Sequence, residues 1–375
     1  MKKYIWFVVL LLCSQTLTNC SYSYSYNSEK NYPGKVKHRI NEDTSSFKSL
    51  FSLVRSISIE GTPEHPVHNV TNLAVRDSLI VVLERKSATL TAFNFRGELL
   101  YQAGGPGGAP GEFTNPYWVG FDAKRRLAVL EGPSNSRIQF LDPENGETLD
   151  VLTEGIRVVP FCDDVHFYRD SSGDHRVIFP TQAPCTSNKG GLCVIHKHSI
   201  SSKRTIERFA SSKKVRKSAI GVPWILDYEN DNRIYVSHLR GGQINIYNID
   251  GKSIGKVDIS KSDQFKELDN SQFRKKYGKI NIKNMLNERY SRVWNISVLD
   301  ENILVHHFGK GRKNQSHRIS VFDKESGKYI TSTSEWKRST RELIEVQGNR
   351  FFFVKTDRES EVGSYVVNEY RYKNN

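Results

Sequence analysis

The sequence lacks the residue patterns that mark the common catalytic and metal-binding centres. No Ser-His-Asp order, paired-carboxylate spacing or zinc-binding helix can be isolated from it. Cysteine is scarce, with five in 375 residues, and the cysteine spacings match no zinc module. The apolar run at residues 4–12 is too short to cross a bilayer. The sequence therefore indicates neither a hydrolase triad nor a zinc module, and its first residues do not form a transmembrane helix.

The recurring feature of the sequence is a strand that ends in a turn with glycine. In each copy, apolar and polar residues alternate up to a short turn that closes on glycine, and an apolar strand then resumes, as in a β-hairpin. The copies are residues 89–100 (TLTAFNFRGELL), 137–149 (RIQFLDPENGETL), 243–254 (QINIYNIDGKSI) and 318–330 (RISVFDKESGKYI). The glycine spacing fits a repeat of about 50 residues, with one degenerate copy and one insertion, which is typical of a β-propeller.

Four strands per repeat predict an all-β fold, a six-bladed β-propeller of antiparallel sheets formed by residues 48–375. The last blade starts near Leu343 and is one strand short. Residues 51–60 (FSLVRSISIE) alternate in the same way and precede the first blade. Because free sheet edges invite aggregation, we expect this N-terminal segment to supply the outer strand of the last blade.

Residues 1–19 have the features of a secretory signal, with two lysines, an apolar run and then small polar residues. Residues 17–20 (LTNC) resemble a bacterial lipobox, in which Cys20 becomes the acylated first residue of the mature protein. The alternative is a plain signal with a chance cysteine. Residues 20–47 begin as a polar, low-complexity tether, and Ser21 argues against retention in the inner membrane. We therefore predict a cell-envelope lipoprotein anchored in the outer membrane, with its periplasmic side favoured over the cell surface.

The chain is strongly basic, with a formal net charge of +14. Much of the excess lies in residues 203–217 and 252–292. The second stretch includes residues 258–290, which interrupt the repeat between blades four and five and have the spacing of one or two short helices. Two interpretations remain open, namely solvated loops or attraction to an anionic partner such as an acidic glycan or a membrane surface. Nucleic acid is not an expected partner, because the chain has an export signal.

Two cysteines of the third blade bracket a glycine-rich segment. Cys185 and Cys193 enclose TSNKGGL, and in an oxidising compartment this spacing predicts a disulfide that closes the loop. Cys162 is then left as a buried free thiol, unless the pairing is different. No metal site is predicted.

One loop of the sequence carries a specific resemblance to a known protein family. Residues 104–113 (GGPGGAPGEF), followed by Pro116, resemble the Gly-x-Gly-Pro-Gly-Glu-Phe loop of bacterial six-bladed β-propeller lipoproteins related to the TolB-like and NHL-repeat propellers. Physically the loop is a turn whose glycines can take positive φ, with Phe113 filling the groove between blades one and two and Glu112 capping backbone amides. No helix follows the glycines, so a phosphate-binding role is not expected.

An aromatic residue lies at the start of the innermost strand of several blades. These residues are Trp118, Phe161, Trp224 and Trp294. Loops that enter the innermost strands line the mouth of the central channel, where propellers usually bind ligands. Two interpretations remain open, a stacking platform for a sugar or apolar group and packing between blades under the rim.

Polar residues near the same mouth complete the predicted ligand-binding set. Asp163 follows Phe161 in the chain, while Arg240 and His306 come from the ends of second strands. Because side chains alternate along a strand, only one of His306 and His307 can face a ligand.

Two hypotheses about function follow from these residues. The first is a non-catalytic binding or scaffold lipoprotein, monomeric and without a cofactor, that presents a propeller face to an envelope protein or an anionic glycan. The alternative is a periplasmic hydrolase or lyase acting on a polysaccharide or peptide, since the propellers that the chain resembles include enzymes and binding proteins. Binding is favoured, because no catalytic constellation can be recognised.

Overall fold

The structure of the protein is a computed structural model, and its described residues form a ring of antiparallel sheets. The described residues are 45–132, 136–154, 156, 165–180, 193–211, 224–229, 233–238, 242–262, 265, 291–308, 316–333, 336–337, 343–357 and 363–373. Within them the strands make six sheets, and each sheet is one blade of a propeller. The predicted fold class is confirmed.

Each of the first three blades pairs four strands in the order of the sequence. Blade one contains β2 (Val70–Arg76), β3 (Leu79–Glu84), β4 (Thr89–Asn94) and β5 (Leu99–Gly104). Blade two contains β6 (Pro116–Phe121), β7 (Leu127–Glu131), β8 (Ile138–Leu141) and β9 (Thr148–Leu152). Blade three contains β10 (His166–Arg169), β11 (His175–Pro180), β12 (Cys193–Ser199) and β13 (Arg204–Ser211).

Blades four and five follow the same order, and blade five gains a short additional strand. Blade four contains β14 (Trp224–Glu229), β15 (Arg233–His238), β16 (Gln243–Asn248) and β17 (Ser253–Asp258). Blade five contains β18 (Arg292–Val298), β19 (Asn302–Phe308), β20 (Ser316–Asp323) and β21 (Tyr329–Ser332), with β22 (Trp336–Lys337) also pairing with β20.

The sixth blade is composite, as the sequence predicts. Its strands β23 (Leu343–Gln347), β24 (Arg350–Asp357) and β25 (Ser364–Tyr372) are completed by β1 (Phe51–Glu60) from the N-terminal side of the ring. The register of β1 against β25 runs antiparallel from Phe51 opposite Tyr372 to Glu60 opposite Ser364. This pairing joins the two ends of the propeller in one sheet.

The recurring turn glycines connect the third and fourth strands of their blades. Their φ angles are all positive: Gly97 has +84°, Gly146 has +77°, Gly251 has +76° and Gly327 has +64°. An L-residue with a side chain is strained in this region, which explains why glycine recurs there. The turn at Gly97 also approaches the closing strand, because a Cβ at this position would lie 1.9 Å from the carbonyl oxygen of Ser58.

The core of the ring lies between neighbouring blades rather than inside one sheet. The described residues form six apolar clusters, and each joins two adjacent blades. At the junction of blades six and one, for example, Ile59 and Val367 pack with Val75 and Ile80. Phe113 is fully buried in the cluster between blades one and two, as predicted for the end of the glycine-rich loop.

Helix is scarce in the part of the chain that the structure describes. It consists of α1 (Ser45–Leu50), directly before the closing strand, and a 3-10 turn (Ile259–Lys261) after β17. Most of the predicted insertion at residues 258–290 lies outside the described residues. Over the described ranges, no helix has the length and apolar character needed to cross a membrane.

Candidate binding channel

A channel of about 1050 Å³ runs along the axis of the ring. The innermost strands β2, β6, β10, β14, β18 and β23 all contribute to its wall. Each of these strands is the inner edge of its sheet, so one row of its backbone groups is not paired within the blade. The channel wall therefore combines free backbone edges with the side chains that flank them.

Polar side chains of one innermost strand accept hydrogen bonds from unpaired backbone N–H groups of the innermost strand in the next blade. The Val119 N–H of blade two donates to Asn72 Oδ1 of blade one at 3.0 Å. The Val298 N–H of blade five donates to Asp227 Oδ2 of blade four at 2.6 Å. These bonds tie adjacent blades together at the channel wall.

His166 makes the equivalent contact from blade three to blade four. Its Nε2–H donates to the carbonyl oxygen of Leu226 at 3.2 Å, and the same nitrogen lies 3.8 Å from Asp227 Oδ1. Burial lowers the pKa of His166 to about 4, although the hydrogen bond to Leu226 acts in the opposite direction. The imidazole is therefore neutral at pH 7 and acts as a hydrogen-bond donor between blades.

The two predicted tryptophans with described side chains both line the channel. Trp118 is half-buried above Gly120, where a Cβ would lie 2.2 Å from the indole, and its ring centroid is 5.9 Å from that of Phe167. Trp118 thus packs between blades two and three while it faces the channel. Trp294 is 38% exposed, which makes it the more solvent-accessible of the two tryptophans.

Several other predicted site residues lie outside the described part of the chain. Phe161, Asp163 and Arg240 are among them, and for Trp224 only the backbone at the start of β14 is described. The same holds for the covalent predictions, since Cys20, Cys162 and Cys185 are outside the described residues and Cys193 is placed only as the first residue of β12. These remain predictions.

His306 lies in β19, the second strand of blade five, and is buried. Its Nε2 is 2.7 Å from Nδ1 of His317, and the two rings stack at 4.9 Å. His307 contacts a different group, with its Nε2 2.8 Å from the hydroxyl oxygen of Ser320. His306 therefore packs within its own blade rather than on the channel wall.

The glycine-rich loop is held by two side chains of blade two. The buried guanidinium of Arg137 donates to Gly108 O at 2.6 Å and to Glu112 O at 2.8 Å, and it also pairs with the buried carboxylate of Glu131. Gln139 donates to Glu112 O at 2.6 Å and accepts from the Gly111 N–H at 2.9 Å. The loop is therefore a structural element.

Two carboxylates of this region cap backbone amides. Glu112 accepts a hydrogen bond from the Ala109 N–H at 3.0 Å, as expected from its place in the loop sequence. Glu131 accepts from the Thr114 N–H at 2.7 Å, at the loop that enters the innermost strand. In blade one, Glu84 binds the Asn69 N–H in the same way, at 2.7 Å.

The inter-blade roles of Asn72, His166 and Asp227 were not predicted from the sequence. The sequence feature that could have revealed these contacts is a polar residue in an innermost strand. The backbone group that it binds lies about one repeat further along the chain. Among the described residues, no cluster of three or more His, Cys, Asp or Glu side chains is placed to hold a metal ion.

Comparison with known proteins assigns the fold to a family. A model of a family described as a 6-bladed beta-propeller, DUF5128, matches residues 25–343. The chain belongs to the DUF5128 family. The finer likeness to TolB-like and NHL-repeat lipoproteins remains a resemblance. No curated protein matches the sequence of this DUF5128 member.

Solved structures similar to this DUF5128 chain share its fold at low sequence identity. A protein from Bacteroides fragilis that is described as exported has a TM-score of 0.59 and 11% identity, with 88% of this chain and 97% of that protein covered. A DUF4221 family member from Bacteroides vulgatus has a TM-score of 0.59 and 11% identity, with 88% of this chain and all of that protein covered. At this identity the likeness concerns the fold alone.

Proposed function

We propose that this protein is a non-catalytic binding protein of the cell envelope and that its central channel binds a glycan. The observation that carries this proposal is the exposed indole of Trp294 on the wall of a channel of about 1050 Å³. An exposed aromatic face beside hydrogen-bonding groups suits the apolar face and the hydroxyls of a sugar ring. The channel also has enough volume for several sugar units, since ligand pockets typically measure about 300–1,000 Å³.

The contacts of the polar wall residues favour binding over hydrolysis or elimination. Asn72, His166 and Asp227 are engaged with backbone groups of the next blade. A general base must be free to reach a substrate proton, whereas His166 Nε2 and Asp227 Oδ2 are already engaged in hydrogen bonds between blades. These contacts therefore give the alternative hypothesis of a polysaccharide or peptide hydrolase or lyase less support than binding.

The envelope location rests on the N-terminal sequence. Residues 1–19 have the features of an export signal, and Cys20 follows a lipobox-like segment. The Bacteroides fragilis protein of similar fold is itself described as exported. We expect a monomer, acylated at Cys20 and held at the outer membrane. Replacing Cys20 with alanine should move the protein from the membrane fraction to the soluble periplasmic fraction.

Glycan binding is tested by titration of the whole protein after a glycan array screen. Wild type should bind at least one oligosaccharide, and Trp294→Ala should weaken that binding by roughly tenfold, because one stacking contact is worth about 1 kcal/mol or more. Leu149→Ala is the matched control, since Leu149 is 51% exposed on the outer strand β9. Equal binding by wild type and Trp294→Ala, or no binding to any glycan, would contradict the proposal.

A further inference from the structure

At one end of the channel, the turns between first and second strands of blades one to three and the adjoining strand ends carry six basic and four acidic residues. The four acids pair with three of the arginines. The pairs are Asp77 with Arg125, Asp122 with Arg126 at 2.8 Å, Asp170 with Arg176 at 2.8 Å, and Asp174 with the same Arg176. Each of these four acids therefore already has an arginine partner, with Asp170 and Asp174 sharing one.

Two arginines at this end have no carboxylate within ion-pair distance among the described residues. Arg76 ends β2, is half-buried, and donates to the carbonyl oxygen of Asp122 at 3.3 Å. Its guanidinium lies 5.6 Å from the centre of the Phe121 ring. Arg169 ends β10 and is exposed to solvent. A half-buried cation without a direct ion-pair partner is less stable than a paired one, and a bound anion would supply that partner.

Arg76 and Arg169 line the same pocket. This hairpin-end pocket has a volume of about 530 Å³ and lies where blades two and three meet the channel. Its wall also includes Tyr168 and Tyr228, whose ring centroids are 5.0 Å apart. Asp122 and Asp170 also line the pocket, and each pairs with an arginine outside the lining. The pocket therefore places two arginines without an ion-pair partner in the described part of the chain beside an aromatic pair.

The pKa values of neighbouring groups agree with a positive potential at this end. Burial lowers the pKa of Arg76 and the charge of Arg125 lowers it further, while Asp77 and Asp122 act in the opposite direction. The pKa of His175 is lowered by burial and then by Lys124 and Arg169. In addition, the Tyr168 hydroxyl is buried and makes no hydrogen bond within the described residues.

We infer that the hairpin-end pocket binds the oxyanion of an acidic sugar, with Arg76 and Arg169 pairing with the charged group and the Tyr168–Tyr228 pair contacting the sugar ring. The inference rests on the proposed function, because it states that the glycan bound in the same channel is acidic. A carboxylate and a phosphate ester present the same oxygen geometry to a guanidinium, so the ligand is an acidic sugar of either kind.

The test is calorimetric titration of the whole protein with glucuronate, glucose 6-phosphate, glucose and inorganic phosphate. The two acidic sugars should bind at least about tenfold more tightly than glucose, since hydrogen bonds to charged groups contribute about 1.5–3 kcal/mol. A preference between them identifies the carboxylate or the phosphate ester as the source. Inorganic phosphate should bind more weakly than the better acidic sugar, and equal binding would overturn the sugar part of the inference.

Single variants distinguish binding in the pocket from attraction to the overall positive charge of the protein. Arg76→Gln and Arg169→Gln should each weaken binding of the acidic sugar by roughly tenfold. Lys124→Gln is the matched control, because Lys124 is an exposed cation of the same region that does not line the pocket. Since Arg169 is exposed, its variant should fold normally even if Arg76→Gln does not. Equal losses in the control and in Arg169→Gln would overturn the inference.

The outcomes also distinguish this inference from the proposed function. If neutral oligosaccharides bind and are sensitive to Trp294→Ala, while acidic sugars have no advantage, the channel still binds glycans and the pocket assignment is wrong. If acidic sugars bind and are sensitive to Arg169→Gln, but Trp294→Ala has no effect, the pocket is correct and Trp294 is not part of the site.

Discussion

The carboxylate of Asp227 accepts a hydrogen bond from the backbone N–H of Val298 at 2.6 Å, and so joins the inner edges of blades four and five. Removing this acceptor leaves an N–H of the channel wall without its partner in the next blade. Asp227→Ala should therefore lower the free energy of unfolding by about 2 kcal/mol, measured by denaturant titration. Asp227→Asn keeps an acceptor oxygen and is the control, and equal losses in both variants would contradict the role of this bond.

The depressed pKa of His166 predicts a pH dependence of stability. Its folded pKa is about 4 against an ordinary value of 6.5, so the unfolded chain takes up the proton first when the pH falls. The contribution of neutral His166 is complete above pH 6.5 and is lost as the pH falls from 6.5 toward 4. The upper bound of this loss is about 3 kcal/mol.

The variant His166→Gln isolates this effect, because glutamine can donate to Leu226 O and does not titrate. Denaturation curves at pH 8, 6 and 4.5 should show a smaller loss of stability on acidification for the variant than for wild type. The difference at pH 8, where imidazole is neutral in both states, measures the structural cost of the substitution. Parallel losses at acid pH would show that His166 does not titrate between 6.5 and 4.

Gly97 and Gly173 have nearly the same φ but different surroundings, so their alanine variants distinguish the cost of backbone strain from the cost of a close contact. Gly173 has φ +79° and no atom within 4 Å of the place that an added Cβ would take, whereas Gly97 has φ +84° and the Ser58 oxygen 1.9 Å from that place. Gly173→Ala should cost about 1 kcal/mol, and Gly97→Ala about 3 kcal/mol, because the closing strand must also move. Thermal unfolding of both variants checks this order, and similar melting temperatures would contradict it.

Arg137 should be far more important for stability than an exposed arginine. Arg137→Gln removes the partner of buried Glu131 and two bonds to the glycine-rich loop, so we expect a loss of about 3 kcal/mol. Arg96→Gln should change stability by less than about 0.5 kcal/mol, since Arg96 is 82% exposed and lies 3.9 Å from Glu98. Denaturant titration of the two variants provides the comparison.

The fold could be predicted because its signals are local and repeat along the chain. The alternation before Gly97, Gly146, Gly251 and Gly327 indicates hairpins without any knowledge of distant contacts. The closing strand β1 could be found because blade six was one strand short, and edge strands need partners. The short pairing of β22 with β20 was not predicted, because two residues carry no recognisable period.

The channel wall was harder to predict because its bonds link distant residues. Asn72 binds an N–H that lies 47 positions further along the chain, and Asp227 one that lies 71 positions further. An asparagine or aspartate in a strand indicates only that a polar group is present, not which backbone group it meets. The aromatic residues were easier to find, and Trp118 and Trp294 do line the channel. Over the described ranges, Arg76 lacks an ion-pair partner because the nearby carboxylates form four ion pairs with other arginines. Nothing in the sequence indicates this arrangement.

The pairing of β1 with β25 also sets the order in which the protein can be completed. Ser52 and Arg371, which are 319 positions apart, meet in one sheet, so the N-terminal strand must wait for the last strand to be made. Contacts of such long sequence separation form late, because the intervening chain must first be ordered. We therefore expect blades one to five to gain structure before the ring closes, with final closure as the slow step of folding.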